Sequence, residues 1–171
     1  MKPIHDRTEI STYQALVAEI TEQVYQLRVE WARAHGWKIV PAEDAAHFSP
    51  QEVNGLVAAL NDAGFRECIA VATEPIDKLP SCYRVAVSVP DLREFNRECG
   101  VFRYLLTTQN RDWAISCNEW FNLFAGPPRL VEKMLGKPID QAHKDFLAFA
   151  RDLTNNPDEP LMKAAIRYAA I

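Results

Sequence analysis

Hydrophobic residues recur at three- and four-residue spacing in the first part of the chain. The stripe consists of Tyr13, Leu16, Val17, Ile20, Val24, Leu27 and Trp31. This spacing is typical of one face of an amphipathic helix. Ser11 and Thr12 are alternative N-caps, and Gly36 is suited to end the helix. The pattern therefore predicts one long helix within residues 8–35.

A break and a second helix follow. Residues 37–47 contain Pro41 and show no period, so we expect a loop there. Ser49 and Glu52 are spaced as a capping box, in which each side chain bonds the backbone amide of the other residue. With Pro50 at the first helical position, this motif predicts a helix over residues 50–63.

After this helix the hydrophobic period shortens to two residues. The runs at 68–72 and 83–89 are rich in β-branched residues and predict two strands, and a short helix is expected over residues 91–99. Alternation then returns in three runs that predict a meander, over residues 102–108, 113–117 and 120–124.

Prolines close the sheet, because they cannot donate to a strand ladder. Gly126 marks the turn from strand to helix, and three helices should follow it, within residues 130–135, 138–153 and 161–171. Strands that follow one another favour a mainly antiparallel sheet, of about five strands, with the helices gathered on one face. The sequence thus predicts a single α+β domain over residues 1–171, with two N-terminal and three C-terminal helices.

Composition adds limits on function. The 171 residues are 48% hydrophobic and 25% charged, which is enough to build a core without metal or disulfide staples. The net charge of -4 argues against a basic nucleic-acid surface. We expect no membrane association and a cytoplasmic location, because the sequence shows neither a long apolar span nor a secretory signal.

The four cysteines are expected to be reduced and buried. Cys68, Cys82, Cys99 and Cys117 are widely spaced and form no C-x-x-C pair. A chain of this size has no need of disulfides to fold. Cys117 shares its strand face with Trp113, which also indicates a core position.

Several polar groups suggest chemistry, but each has a structural explanation that we favour. Glu43, Asp44 and His47 have metal-ligand spacing only if they are helical. Asp140 and His143 lie near the start of a helix, where an acid interacts with the dipole. Cys117 could pair with His35, His47 or His143 as nucleophile and base, but only through the fold. No glycine motif for phosphate is present, so we predict no cofactor and no metal.

Aromatic residues are concentrated in the predicted meander, with Arg103 and Arg111 among them. They are Phe102, Tyr104, Trp113, Trp120, Phe121 and Phe124. Exposed Trp, Tyr and Arg are common anchors of protein interfaces. The candidate binding residues are therefore Trp120, Phe121, Arg111 and Glu119. The alternative is that all the aromatic rings complete the core.

These features favour a non-enzymatic protein-binding module, whose partner is another protein or a second copy of the chain. A small acidic domain with a strand meander and no catalytic motif is similar in a general way to bacterial inhibitor or immunity proteins. The alternative is a small enzyme or ligand-binding protein whose site is assembled from distant residues, with His143, Cys117 and Glu119 as candidates.

Overall fold

The computed structural model describes residues 1–23, 26–43, 48–77, 79–100, 102–118, 120–154 and 156–169. The strands are β1 (Lys2–Pro3), β2 (Thr21–Gln23), β3 (Gln26–Leu27), β4 (Lys38–Ala42), β5 (Glu67–Ala72), β6 (Cys82–Ala86), β7 (Tyr104–Thr107), β8 (Ala114–Cys117) and β9 (Asn122–Gly126). The helices are α1 (Arg7–Ile20), α2 (Val29–Ala34), α3 (Pro50–Asp62), α4 (Val89–Cys99), α5 (Pro128–Leu135), α6 (Ile139–Leu153) and α7 (Pro160–Tyr168).

Seven of these strands form one sheet, and β2 and β3 form a separate hairpin. The sheet has the order β1-β6-β5-β7-β8-β9-β4, and all its neighbouring strands run antiparallel. The predicted meander is confirmed as β7, β8 and β9, with Leu106 beside Ile115 and Ile115 beside Phe124. The α+β class and the antiparallel sheet are as predicted, but the sheet has seven strands rather than about five.

Helices cover both faces of the sheet, so the prediction that they gather on one face is wrong. Ile69 and Val71 of β5 belong to a first core, together with residues of α1, α2, α6 and α7. Cys68 and Ala70 of the same strand belong to a second core, together with residues of α3, α4 and α5. Successive strand residues point to opposite faces. A strand that is apolar at every position is therefore covered on both sides.

The second predicted helix is confirmed, including its first turn. In α3 the Ser49 hydroxyl accepts a hydrogen bond from the Glu52 amide at 3.3 Å, and the Glu52 carboxylate accepts one from the Ser49 amide at 2.7 Å. The capping box therefore fixes the start of α3 at Pro50.

The long helix expected over residues 8–35 is wrong, because the chain leaves the helix after Ile20. The N-cap of α1 is Asp6, rather than Ser11 or Thr12. Thr21 is extended and begins the hairpin of β2 and β3, and a separate short helix, α2, ends before Gly36. Leu27 lies in strand β3 and is buried. Its backbone amide donates a hydrogen bond to the Tyr168 hydroxyl, which in turn donates to the Leu27 carbonyl oxygen. The helical spacing between Ile20 and Leu27 is therefore a coincidence. Val24, another member of the predicted stripe, lies outside the described residues.

Residues 38–42 form the edge strand β4, where we expected a loop. Ile39 and Val40 are fully buried, and β4 pairs with β9 along its whole length. Pro41 is compatible with this position, because an edge strand needs no donor on its outer side. On the outer side of this edge strand, Nε2 of His143 in α6 lies 3.3 Å from the Ile39 carbonyl oxygen. The helix thus covers an edge that would otherwise be open to pairing.

Candidate binding surface at one end of the sheet

Antiparallel pairing brings the ends of several strands together. Ala72 at the end of β5 is beside Tyr104 at the start of β7. Tyr104 is beside Cys117 at the end of β8, which is beside Asn122 at the start of β9. We call this the upper end of the sheet. Residues that directly flank these four positions are neighbours in space, although they are far apart in the chain.

Trp120 lies at the upper end, in the turn between β8 and β9, and presents its indole to solvent. Its side chain is 37% exposed. The guanidinium of Arg103, which precedes β7, lies 5.3 Å from the centre of the ring. Arg103 also pairs with the Glu74 carboxylate at 3.2 Å. The exposed Trp120 and the half-buried Arg103 and Glu74, from three loops, therefore form one surface, which we call the Trp120 surface.

The backbone under Trp120 is held in place by Asn118. The side-chain oxygen of this buried residue accepts hydrogen bonds from the amides of Trp120, at 2.9 Å, and Phe121, at 3.2 Å. Such local side-chain bonds order a turn. The indole is consequently presented from a fixed backbone, which lowers the entropy cost of binding.

Phe121 is not a surface residue. It is 1% exposed, and its ring packs edge to face against Phe146 of α6, with 5.6 Å between the ring centres. Phe121 therefore contributes to the first core and is corrected from a candidate contact residue to a core residue. The candidate Glu119 lies outside the described residues.

Arg111 and Trp120 lie at opposite ends of the sheet. Arg111 occupies the turn between β7 and β8, with a positive φ of 61°, and pairs with Glu19 of α1. The four residues of β8 separate that turn from the Trp120 turn, a length of roughly 13 Å. The candidate residues Trp120 and Arg111 are therefore not neighbours, and Arg103 occupies the place beside the indole. Correct strand pairing would have identified Arg103, because it precedes β7 while Trp120 follows β8.

A groove of about 740 Å³ lies beside the Trp120 surface. One wall is formed by α1 and β2, and the other by the segment that joins β5 to β6. Apolar residues of the groove are Val17, Ala18, Val71, Ala72, Pro75, Ile76 and Leu79. Uncharged polar residues are Gln14, Thr21, Gln23, Thr73 and Ser81. Glu74 belongs to both the groove and the Trp120 surface, so the two are continuous.

The charged residues of the groove differ in their partners. Glu74 pairs with Arg103, and Glu22 pairs with Arg167 of α7. Arg28 donates from Nη2 to the carbonyl oxygens of Thr21, at 2.9 Å, and Ala18, at 3.4 Å. These contacts satisfy carbonyls at the end of α1. Within the described part of the chain, Arg28 has no carboxylate partner.

Cys117 and His143, the candidates for an assembled catalytic site, are not brought together. Cys117 is buried at the upper end of the sheet, and burial raises the pKa of its thiol. Its register partner Asn122 is beside Ala42, whereas His143 contacts Ile39, three residues away along the edge strand. Burial lowers the pKa of His143. Neither residue has the setting of a nucleophile and its base.

The other candidate side chains have structural roles where they are described. His35 is exposed and stacks on Trp31, with 3.9 Å between the ring centres. Asp140 lies in the first turn of α6. Asp44 and His47 are outside the described residues. Among the residues that the structure describes, no group of three or more His, Cys, Asp or Glu side chains could hold a metal ion.

None of the helices in the described ranges has the length and apolar character needed to cross a membrane. Compared with protein-family models, curated proteins and solved structures, the chain matches none of them.

Proposed function

We propose that this chain is a non-enzymatic protein-binding module and that Trp120 is its anchor. The observation that carries the proposal is the exposed indole of Trp120, stacked under Arg103 at the upper end of the sheet. Within this class we propose an inhibitor or immunity-type protein of bacterial origin. The partner is another protein or a second copy of the chain.

The chemistry of the Trp120 surface supports this function. Trp and Arg are enriched among residues that dominate binding energy, and they act at the centre of an interface. Arg103 is oriented by Glu74, and the Trp120 backbone is fixed by Asn118. A pre-ordered aromatic and cationic pair loses little freedom on binding.

A ligand-binding protein is a second candidate, favoured by the groove beside the Trp120 surface. Its volume of about 740 Å³ lies within the usual range of ligand sites, roughly 300 to 1,000 Å³. A thermal-shift screen with small metabolites would detect such a ligand, because binding to the native state raises the melting temperature.

The decisive experiment compares Trp120→Ala with the parent protein in affinity capture from native lysate, followed by titration of the captured partner. Leu153→Ala is the matched control, because Leu153 is also a large exposed apolar residue, at 62%, but lies at the end of α6. We expect Trp120→Ala to weaken binding about thirtyfold, as for a central anchor. Leu153→Ala should bind as the parent does.

The partner could also be a second copy of the chain, so self-association of the same three proteins is measured by sedimentation. Denaturation midpoints establish that Trp120→Ala is folded. Equal affinity of the folded Trp120→Ala variant and the parent, for the captured partner and in self-association, would contradict the proposal.

A further inference from the structure

The groove is bordered on one side by α1, through Gln14, Val17 and Ala18. Near its start, Glu9 pairs with Arg84 of β6. Near its end, Glu19 pairs with Arg111 in the turn at the lower end of the sheet. Gln14 and Ala18, on another side of α1 from Glu9, line the groove.

The groove offers contacts along its length. Gln14 on one wall and Ser81 on the other carry both donors and acceptors. The hydroxyls of Thr21 and Thr73 donate to the carbonyls of Val17 and Arg103 and can still accept. Apolar side chains lie between them. This mixture of polar and apolar groups suits an extended polypeptide, whose main chain needs hydrogen bonds and whose alternate side chains need apolar contacts.

A second cavity extends the surface in the direction of β9. It has a volume of about 580 Å³, is lined by Phe121, Ile166 and Tyr168, and shares Gln23 with the groove. The groove includes Val71 and Ala72 of β5, and three strand spacings separate β5 from β9, or roughly 14 Å. About four extended residues cover that distance.

The charge balance of the groove indicates which segment would bind. Both acidic side chains of the groove, Glu22 and Glu74, are neutralised by arginines. Arg28 is held only by backbone carbonyls, through Nη2. The unneutralised charge among the described groove residues is therefore positive. A guanidinium with unused donors is well suited to bind a carboxylate.

We infer that the groove binds an extended acidic segment of the protein partner, with an Asp or Glu carboxylate on Arg28. Apolar side chains of the segment pack on Pro75, Ile76 and Leu79. The inference rests on the proposed function and specifies its partner as a polypeptide with an acidic residue beside apolar ones.

A random heptapeptide display library, selected on the immobilised protein, tests this inference directly. We expect the enriched peptides to share one acidic position flanked by apolar residues. A selected peptide is then compared with its amide counterpart, in which Glu is replaced by Gln or Asp by Asn, by fluorescence anisotropy. Loss of the carboxylate should weaken binding about fivefold, the upper end for a solvent-accessible ion pair.

Variants of the protein locate the effect. Arg28→Gln should lower the affinity for the acidic peptide about fivefold, so that the acidic and amide peptides bind equally well. Arg33→Gln is the matched control, since Arg33 is exposed on α2 and lies outside the groove. Ala18→Glu places a carboxylate on the groove side of α1 and should weaken the acidic peptide through repulsion. This second variant leaves the contacts of Arg28 with the end of α1 in place.

Each outcome supports or overturns the inference. Enrichment of peptides without a common acidic residue, binding unaffected by both groove variants, or no enrichment at all would overturn it. A failure of the proposed function is distinguishable, because it concerns Trp120→Ala and the native partner. One result would separate the two proposals: peptide binding falls in Arg28→Gln, but partner binding is the same for Trp120→Ala and the parent. The groove would then remain the peptide site, and Trp120 would not be the anchor.

Discussion

Arg103 and Trp120 meet although 17 positions separate them in the sequence. The Arg103 guanidinium lies 5.3 Å from the centre of the indole, because one residue precedes β7 and the other follows the antiparallel partner β8. This contact explains how a large aromatic side chain can be both exposed and ordered.

The contact predicts a coupling that can be measured without a binding partner. In a double-mutant cycle of Arg103→Ala and Trp120→Ala, we expect a coupling free energy of about 0.5 to 1 kcal/mol, the range of an exposed cation–π contact. The measurement is the free energy of unfolding in urea. Arg97→Ala combined with Trp120→Ala is the control, and its effects should add. Additivity in the Arg103 cycle would show that the stacking contributes nothing to stability.

The capping box of α3 predicts the effect of one hydroxyl. Ser49→Ala removes the acceptor for the Glu52 amide and should lower the free energy of unfolding by about 1 kcal/mol. Ser49→Asp, which restores an acceptor, is the control and should retain most of the stability. An unchanged denaturation midpoint for Ser49→Ala would argue that the box contributes no net stability.

The thiols should be slow to react in the native protein. All four cysteines are buried and free, and burial raises the pKa of Cys68 to about 12 and that of Cys99 to about 11. Because the thiolate is the reactive form, a thiol titration at pH 8 should proceed slowly until denaturant is added. A rapid phase in the native protein would contradict this, and loss of that phase in Cys117→Ser would assign it to Cys117.

The burial of His143 predicts that the protein loses stability in mild acid. Burial lowers its pKa from the ordinary value of 6.5, while Asp140 and the carbonyls of Ile39 and Ala169 oppose the shift and Lys38 adds to it. The unfolded chain therefore binds a proton at a higher pH than the native protein. Stability is full above pH 6.5 and falls as the pH drops from there through the lower native pKa.

The corresponding measurement is the melting temperature between pH 7.5 and pH 5. His143→Gln should flatten the decline, because glutamine does not titrate. His35→Gln is the control at an exposed position, and its profile should follow that of the parent. If His143→Gln and the parent show the same pH profile, the decline has another origin.

Gly126 predicts a backbone effect at the end of the meander. Its φ is +156°, and an added Cβ would lie 3.2 Å from the Cβ of Trp113. Gly126→Ala should therefore cost about 1 to 3 kcal/mol of stability. Gly55 in α3 is the control, because a Cβ there meets no atom within 4 Å. Gly55→Ala should stabilise the helix by about 0.5 to 1 kcal/mol. Equal stability of Gly126→Ala and the parent would contradict the strain.

Local patterns were sufficient where the signal lies within a few residues. The capping box predicts α3, the β-branched run at 68–72 predicts β5, and alternation predicts β7 and β8. Both depend on contacts between sequence neighbours or on the direction of side chains along a strand. The same patterns misled over residues 8–35, because apolar residues of a helix and of a following hairpin happened to share one spacing. Residues 38–42 were missed because Pro41 indicates a break, unless the strand lies at an edge.

The candidate site was only partly accessible from the sequence. The sequence selects Trp120 as a large aromatic residue of the predicted meander strand 120–124, whereas the burial of Phe121 depends on contact with Phe146, 25 positions later in the chain. That Arg103, and not Arg111, lies beside the Trp120 indole depends on which strand ends are neighbours in the sheet. The sequence by itself determined the composition of the core, the strong local elements and the α+β class. Tertiary structure alone decided which strand ends meet, which face each helix covers and which charges remain unpaired, because these depend on contacts between distant parts of the chain.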